Sequence, residues 1–338
     1  MTTTPRRSRI TAAIAAIAAA PLLLAACGSA VSTDTAEQQG TGGAVTIENC
    51  GRELTFEATP TRVASLMPTQ TELLLRLGLD DAIVAQAQTS VSPLPDDLTE
   101  KADDIPVLST DAPPTREDLL ATKPDLVLSP TSYEFTAEQG YASIDQLNDN
   151  GAEAYVATGG CADRRNSAEV TDVFTDIENI GTIMDTPDAA DELIKDGEDR
   201  LTAVKDGIAG HTRPTVAQLY VEGNSLTAIG AGVEADIIKT AGGDNVSDPE
   251  DPQFSDFFAA EINPEEVISR KPEAIVFGVT GPEHEEQTRS YLKKTFPDVP
   301  AVKNDLLIAI PESDLHPGTL GNIGAVETIA KRIYPDAF

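Results

Sequence analysis

The chain has 338 residues, with 24 basic and 56 acidic side chains and a formal net charge of −32 at pH 7. This charge argues against a nucleic-acid partner, because the phosphate backbone binds basic surfaces. The composition is typical of a globular protein, and the length allows two lobes, since single cores stop growing near roughly 250–300 residues.

Residues 1–26 have the pattern of an export signal. Three arginines among residues 6–9 precede an apolar, alanine-rich run over residues 10–26, which is interrupted by a proline and short for a membrane span. Its ending, Leu-Ala-Ala before Cys27, resembles the lipobox of bacterial lipoproteins. We therefore expect a lipid on Cys27 and attachment to the extracytoplasmic face of the cell membrane; an ordinary signal peptide is the alternative.

The mature chain is expected to begin with a tether and a hairpin. Residues 27–44 start at the lipidated cysteine and continue as a small, polar run without periodicity, which indicates a flexible tether. Residues 45–50 and 53–58 alternate apolar and polar positions around a glycine, which predicts a small β-hairpin.

Residues 60–79 predict a strand, a turn and a helix. An apolar run is followed by a polar turn at 68–71 and a leucine-rich helix at 72–79, with Thr69 or Thr71 as the N-cap. The free N–H groups of such a helix start lie at a sheet edge, which is a common place to hold a ligand. An ordinary strand–helix turn fits the same pattern.

The rest of the first lobe alternates strands with helices. The predicted elements are strands at 83–87, 125–129 and 152–157 and helices at 116–122 and 138–148. This alternation predicts a parallel sheet covered on both faces, so we expect an α/β lobe over residues 45–185.

A long helix and a second α/β lobe follow. Gly181 and Pro187 divide the helical pattern of residues 168–208, and its second part, about 30 Å long, predicts a rigid connector at residues 186–210. In the second lobe, over residues 211–338, the predicted strands are 215–221, 274–279 and 305–310, the predicted helices are 233–241, 264–270, 285–294 and 323–334, and 224–232 is a loop. The two lobes leave a cleft where strand ends converge.

Five segments, taken in order, resemble the substrate-binding lipoproteins of ABC importers for iron complexes and cobalamin. They cover about residues 45–336 and read NCGRELTFEATPTRVASLMPTQTELLLRLGLDDAIVA, LLATKPDLVLS, DIIKTAGGDNV, INPEEVISRKPEAIVFGV and HPGTLGNIGAVETIAKRIYP. The resemblance to this class III family implies two Rossmann-like α/β lobes, joined by one long rigid helix, with the ligand cleft between them.

The resemblance also implies a function in transport. We expect a monomeric binding protein without a cofactor that captures an iron chelate, a ferric siderophore, and delivers it to an ABC permease. Cobalamin, haem or a cofactor precursor is the alternative ligand for the same role. A secreted lipoprotein hydrolase is the alternative of another class, but residues 284–288 lack the second histidine of HExxH and no G-x-S-x-G elbow occurs.

The family's docking to its permease implies an acidic residue on each lobe. Glu72 has the matching position in the first lobe, although it can also act by stabilising the helix N-terminus, worth a few tenths to about 1 kcal/mol. The matching position in the second lobe is Lys239, which departs from the family pattern, so Glu234 or Asp236 is the candidate there.

Ligand contacts are expected in loops that follow strands. The candidates are Thr69, Gln70, Tyr133, Glu222, Asn224, Phe254, Phe257 and His316. The two phenylalanines fit either an aromatic wall for a chelate or the core. We expect no bare-metal site, because the mature chain's three histidines all follow the connector; haem ligation by Tyr133 or His316 stays open.

Cys50 and Cys161 are the remaining cysteines. An isolated pair outside the cytoplasm most simply forms a disulfide, and closing a loop of about 100 residues contributes on the order of 4–5 kcal/mol in the chain-entropy model. A catalytic or metal-binding thiol is the alternative.

Overall fold

The structure is a computed structural model that describes residues 44–338. The signal peptide over 1–26, the lipid on Cys27 and all but the last residue of the tether lie outside the described residues. Within residues 44–338, no helix is long and apolar enough to cross a membrane.

The described chain alternates strands and helices over most of its length. Its strands are β1 (Val45–Asn49), β2 (Arg52–Phe56), β3 (Val63–Ser65), β4 (Ile83–Gln86), β5 (Leu126–Ser129), β6 (Glu153–Val156), β7 (Thr215–Glu222), β8 (Ser225–Ile229), β9 (Asp244–Asn245), β10 (Ala259–Glu261), β11 (Ala274–Val279) and β12 (Leu307–Pro311). Its α-helices are α1 (Pro68–Arg76), α2 (Asp96–Ala102), α3 (Arg116–Ala121), α4 (Ile144–Asp149), α5 (Asp172–Ile183), α6 (Pro187–Gly207), α7 (Gly232–Thr240), α8 (Pro264–Arg270), α9 (Pro282–Thr295), α10 (Pro300–Lys303) and α11 (Gly321–Ile333).

The first sheet is parallel throughout, as the alternation predicted. Its strand order is β4-β3-β5-β6, and β3 and β5 are buried along their whole length because helices or loops cover both faces. The predicted hairpin is also present, since β1 pairs antiparallel with β2.

The second sheet is mixed, which the sequence prediction missed. Its order is β10-β8-β7-β11-β12, with β9 also beside β7; β7, β11 and β12 are parallel, whereas β8 is antiparallel to both β7 and β10. The predicted loop at 224–232 is therefore wrong over Ser225–Ile229. Glu222 pairs with Ser225, so Gly223 and Asn224 form a two-residue hairpin turn that favours the missed strand.

Two predicted helix starts are also corrected. Helix α1 begins at Pro68 with Met67 as the N-cap, so the expected turn at 68–71 is its first helical turn, where proline's fixed φ suits the N1 position. The helix expected at 138–148 begins only at Ile144. Gly140 has a left-handed φ of 89°, and a capping box formed by Ser143 and Gln146 starts the helix after it.

Helix α6 connects the part of the chain that forms the first sheet with the part that forms the second. Its fully buried residues are Ala190, Gly197 and Val204, seven apart, so one narrow stripe of the helix packs against α5 and α11. The helix runs without interruption through Gly197. The lobe boundaries at 185 and 211 and the rigidity of the connector stay predictions.

The predicted disulfide is confirmed. Cys50 and Cys161 are bonded, with a Cα–Cα distance of 5.2 Å, and join the β1–β2 turn to the segment after β6. Asn49 reinforces this attachment, because its side chain donates to the carbonyl of Val156 at 2.7 Å and accepts from the same residue's N–H at 2.9 Å. The hairpin is thus fixed to the edge strand of the first sheet.

Candidate ligand-binding cleft

The two sheets approach each other where the start of α1 meets the loop before α11. Gln70 donates a hydrogen bond from Nε2 to the carbonyl of Gly318 at 3.4 Å, and Thr69 donates to Oε1 of Gln70 at 2.8 Å. Gly318 has a φ of 69°, and a Cβ there would lie 2.3 Å from Cβ of Ala157. Thr69 and Gln70 are both buried at this contact, and their role as ligand contacts stays a prediction.

An ion pair forms a second link between the two parts of the chain. Arg165, which precedes α5, binds both carboxylate oxygens of Glu234 in the first turn of α7, with N–O distances of 2.9 and 2.5 Å. Its guanidinium carbon also lies 3.7 Å from the ring centroid of Phe258. The two charged side chains are only 17% and 8% exposed, so the pair is largely shielded from water.

A cavity of about 210 Å³ lies beside this ion pair, against the second sheet. Gln218 and Tyr220 reach it from the same face of β7, and Glu312 and His316 reach it from the segment that follows β12. The side-chain amide of Gln218 and Nε2 of His316 are buried and have no hydrogen-bond partner among the described residues.

The cavity combines a neutral imidazole with an unpaired carboxylate. Burial, with a smaller effect of the Arg165 charge, lowers the pKa of His316 to about 4, so its ring is neutral near pH 7. Burial raises the pKa of Glu312, whereas nearby His284 opposes the shift, and Glu312 makes no salt bridge within residues 44–338. The pKa of Tyr220 is raised by burial and then by the carboxylates of Glu312 and Glu222.

The predicted contact Tyr133 lies on the surface after β5. Its side chain is 53% exposed, and its ring packs edge-to-face on Tyr141 with 5.8 Å between centroids. Because Tyr133 follows a parallel strand at its carboxyl end, the pair offers an accessible aromatic surface on the side where ligands commonly bind.

The predicted contacts Glu222 and Asn224 lie at the exposed β7–β8 hairpin. Glu222 lines a groove together with His284, at the start of α9. Nε2 of His284 donates to the carbonyl of Val221 at 2.8 Å, and Nδ1 accepts from the N–H of Thr280 at 3.2 Å. Both ring nitrogens are therefore engaged, which leaves neither for metal ligation.

The phenylalanines divide between core and surface. Phe254 is 1% exposed and packs in the apolar core under Gly230, where a Cβ would lie 2.4 Å from its ring, so the structure contradicts its assignment to the cleft. Phe257 is 57% exposed, and its ring packs at a tilted angle against Phe258 with 4.4 Å between centroids. Phe258, over whose ring the cation of Arg165 lies, lines the cavity together with Tyr220.

The three docking candidates are more enclosed than a surface contact requires. Glu72 has a side chain 16% exposed, 3.5 Å from Arg76, and burial is the main cause that raises its pKa. Glu234 is bound by Arg165, and Asp236 accepts the backbone N–H of Val170 at 2.9 Å. Glu234 and Asp236 thus already bind groups within the protein. Docking to the permease by any of the three residues stays a prediction.

Three polar residues at or near the contact between the sheets were missed from sequence. Gln218 had a signal, because a polar residue in the middle of an apolar strand needs a partner or a ligand. No sequence pattern pointed to Arg165 or Asp176, because their partners, Glu234 and Tyr155, lie 69 and 21 residues away along the chain. Within the described part of the chain, no group of three or more His, Cys, Asp or Glu residues could hold a metal ion.

Comparison with known proteins extends over nearly the whole chain. A family model described as periplasmic binding protein matches residues 63–313. The chain is 24% identical over 336 residues to an uncharacterised ABC transporter substrate-binding lipoprotein, YvrC, of Bacillus subtilis, covering 96% of this chain and 97% of the relative. It is also 25% identical to a vitamin B12-binding protein of Vibrio parahaemolyticus, over 63% of this chain and 69% of the relative.

A solved structure supports the same fold. The crystal structure of an ABC-type Fe3+-hydroxamate transport system from Saccharomonospora viridis superposes with a TM-score of 0.69 and 23% identity. The alignment covers 86% of this chain and 98% of that chain, so the arrangement of both sheets is shared.

Proposed function

This chain belongs to the periplasmic binding protein family, and from that premise we propose that it captures a ferric siderophore and delivers it to an ABC permease. Membership places the chain among transport substrate-binding proteins rather than enzymes. The ligand would lie where the two sheets approach each other, between the exposed aromatic pair after β5 and the polar cavity on the second sheet.

One observation supports a chelate over a bare ion. Within residues 44–338 no cluster of acidic, histidine or cysteine side chains is suited to hold a metal. A ferric ion would therefore arrive with its coordination sphere already filled by its own chelator, and the protein would recognise the chelator through shape, aromatic contact and a few hydrogen bonds.

Cobalamin is the second candidate ligand, because the relatives include proteins named for binding vitamin B12. It too carries its metal inside an organic ligand, so the same recognition argument applies. The solved Fe3+-hydroxamate protein is named for the first kind of ligand, and haem and a cofactor precursor complete the set to be tested.

We also propose that the protein is held at the membrane by a lipid on Cys27. The Leu-Ala-Ala-Cys sequence supports this location, and the Bacillus subtilis relative over almost the full length is named a lipoprotein. Mass analysis of the exported protein should find a diacylated N-terminal cysteine; an unmodified chain that starts elsewhere would contradict the anchor.

Binding should be measured by calorimetry against ferric siderophores, cobalamin and haem, and by tyrosine fluorescence, since the chain has no tryptophan. We expect one class to bind with a dissociation constant near 1 μM or tighter, about −8 kcal/mol. Tyr133→Ala should weaken it roughly tenfold, because the packing of the tyrosine ring against the chelate is lost. Ile268→Ala, an exposed apolar residue on α8, is the control and should change nothing.

The absence of binding throughout this panel, together with measurable hydrolase turnover by the same preparation, would overturn the transport proposal. A chelate that binds equally well to wild type and Tyr133→Ala would leave the function standing and would remove Tyr133 from the binding site.

We propose Glu72 as the first-lobe contact to the permease, on the family position of its helix. Glu72→Lys should abolish uptake into cells while ligand affinity stays unchanged, because a charge reversal repels an arginine partner. Glu192→Lys, on the exposed side of α6, is the matched control. If Glu72→Lys changed neither uptake nor ligand affinity, the proposed contact of Glu72 with the permease would be contradicted.

A further inference from the structure

We propose that the contact between the two sheets is a proton-operated clasp, which is tight when its carboxyl groups are protonated and loosens when they ionise. Its members are Glu72 on α1, Asp176 on α5 and Asp314 in the segment that follows β12, and we call them the carboxyl clasp. Helices α1 and α5 pack with the first sheet, whereas Asp314 follows the last strand of the second. The clasp is a property of the chain without its ligand and so goes beyond the proposed function.

The loop before α11 fits tightly against the first sheet at Gly318. A Cβ on Gly318 would lie 2.3 Å from Cβ of Ala157, 3.1 Å from Oδ2 of Asp176 and 3.4 Å from the uncharged amide nitrogen of Gln70. Oδ2 of Asp176 is buried and has no hydrogen-bond partner among the described residues. An ionised carboxylate would therefore keep one oxygen without a partner until the loop moves away and water enters, which costs free energy in the closed contact.

No cation within residues 44–338 forms a salt bridge with Asp176. Tyr155 on β6 and Thr158 after it donate to its other oxygen, and both are uncharged groups. Asp172, on the same helix, has the same sign of charge, and Arg164 is already bound to it by two hydrogen bonds, at 3.1 and 2.7 Å. Burial therefore raises the pKa of Asp176 to about 7, against the opposing hydrogen bonds from Thr158.

Glu72 and Asp314 bring two further carboxyl groups to the contact from opposite sides. Burial raises the pKa of Glu72, Arg76 opposes this shift, and the charge of Asp314 adds to it. Arg76 compensates Glu72 only in part, because its Nε lies 3.5 Å away whereas its two terminal nitrogens bind Asp97 at 2.5 and 3.2 Å. Ionisation of both Glu72 and Asp314 would therefore set like charges against each other across the contact.

Asp314 has no cationic partner of its own within the described part of the chain. Its carboxylate accepts one hydrogen bond, from the hydroxyl of Ser313 at 3.2 Å. It lies at the start of α11, since a Cβ on Gly321 would be 2.5 Å from its Oδ1, but the N–H of Gly321 already donates to Thr319 at 3.1 Å. Burial raises the pKa of Asp314 to about 6.

The direction of the effect follows from proton linkage. A carboxyl group whose pKa is higher in the closed contact than in water strengthens the contact below its ordinary value of about 4, and this contribution is lost as pH rises through the raised value. With raised values of about 7 for Asp176 and about 6 for Asp314, the contact should loosen between pH 5 and pH 8. A proton reaches a buried carboxyl group through brief local openings, so no permanent channel is required.

Hydrogen exchange of the full chain, in detergent and without ligand, tests the clasp. Protection factors, which are corrected for the intrinsic exchange rate at each pH, should be measured at pH 5 and pH 8 for residues 66–77 and 312–323. In wild type we expect them to fall at least about tenfold, because opening the contact then releases carboxyl groups that ionise. Protection of α8, which holds no member of the clasp, should fall less than about threefold.

Two variants remove one ionisable group each and keep the side-chain shape. Asp176→Asn and Asp314→Asn should each reduce the fall to less than about fivefold, and the double variant should reduce it to less than about threefold. Asp149→Asn, exposed at the end of α4, is the matched control and should keep the full fall. Glu72 is left in place because it is also the proposed permease contact. Thermal unfolding at pH 5 establishes that each variant is folded, and either single variant carries the test alone.

Protection that does not change between pH 5 and pH 8 in wild type would overturn the clasp, and so would an equal fall in wild type and in the double variant. A fall that the two clasp variants reduce and the control keeps would support it. Because no chelate enters the experiment, failure of the chelate panel would remove the proposed function without deciding the clasp.

Discussion

At the scale of single residues, Asp176 is the most unusual ionisable group at the contact between the sheets. Its Oδ1 accepts hydrogen bonds from Tyr155 Oη at 2.8 Å and from the N–H and hydroxyl of Thr158 at 2.8 and 2.6 Å. Its Oδ2 is buried without a partner among the described residues and faces Gly318. Burial raises the pKa of Asp176 to about 7, against the lowering effect of the Thr158 hydrogen bonds.

The raised pKa of Asp176 predicts a pH-dependent stability difference. A carboxyl whose pKa is higher in the folded state contributes stability below its unfolded pKa of about 4, and this contribution is lost as pH rises through about 7. Asp176→Asn cannot ionise, so its free energy of unfolding relative to wild type should improve by at least about 1.4 kcal/mol between pH 4 and pH 8. Urea unfolding at several pH values measures the difference.

Asn148→Ala, an exposed substitution on α4 that changes no ionisable group, is the control and should show a difference independent of pH within about 0.5 kcal/mol. If the difference in unfolding free energy between Asp176→Asn and wild type also did not vary with pH, Asp176 would be ionised throughout this range in the native protein.

At the scale of elements, two helical glycines have opposite surroundings. In α6, a Cβ on Gly197 would lie 2.5 Å from Cε1 of Phe174 and 2.8 Å from Cδ1 of Ile323, so the glycine allows three helices to pack closely. In α11, a Cβ on Gly324 would have no neighbouring atom closer than 4.0 Å, which is its distance to Nη2 of Arg200.

The same substitution should therefore have opposite effects at these two positions. Gly324→Ala should raise the free energy of unfolding by about 0.5–1 kcal/mol, because alanine has the higher helix propensity. Gly197→Ala should lower it by about 1–3 kcal/mol, since overpacking outweighs that gain. Chemical denaturation of both variants checks the prediction, and stabilisation by Gly197→Ala would show that Phe174 and Ile323 move aside easily.

The disulfide attaches the β1–β2 hairpin to the segment that follows β6. It closes a loop with a sequence separation of 111 residues, so replacing Cys50 and Cys161 by alanine should cost about 4–5 kcal/mol of unfolding free energy in the chain-entropy model. Alkylation of the exported protein under non-reducing conditions should label neither cysteine. Labelling of both in folded protein would contradict the bond.

At the scale of the whole molecule, Arg165 and Glu234 join the two parts of the chain across the cleft. Arg165→Ala leaves the carboxylate of Glu234 largely buried without its partner, so we expect a loss of about 2–4 kcal/mol in unfolding free energy. Lys195→Ala removes the cation of an exposed pair with Asp199 on α6 and should have a much smaller effect than Arg165→Ala, because water and salt screen exposed charges. Equal, small losses would mean that the interlobe pair is as well solvated as the exposed one.

A double-mutant cycle with Glu234→Gln separates the pair from the other contacts of Arg165. We expect the coupling energy to be positive and to account for most of the loss, with the remainder arising from the Phe258 ring under the guanidinium. Calorimetric titration of the same variants with the ligand found in the panel would show whether this link also contributes to affinity.

Sequence alone determined the features that depend on neighbouring residues and on simple chemistry. The alternation of strands and helices, the long helix Pro187–Gly207, the β1–β2 hairpin and the pairing of two cysteines all follow from local periodicity, turn residues and redox context. Strand β8 was within reach too, since a Gly-Asn pair between two apolar runs is a hairpin signal.

The tertiary structure alone decided which side chains face the cleft. Phe254 and Phe258 stand four positions apart, yet one fills the core and the other lies under Arg165. Gln218 becomes part of a cavity only because His316 and Glu312 return to it almost a hundred residues later. Local propensity selects an element, whereas burial and charge pairing depend on chain segments that are distant in sequence and meet only on folding.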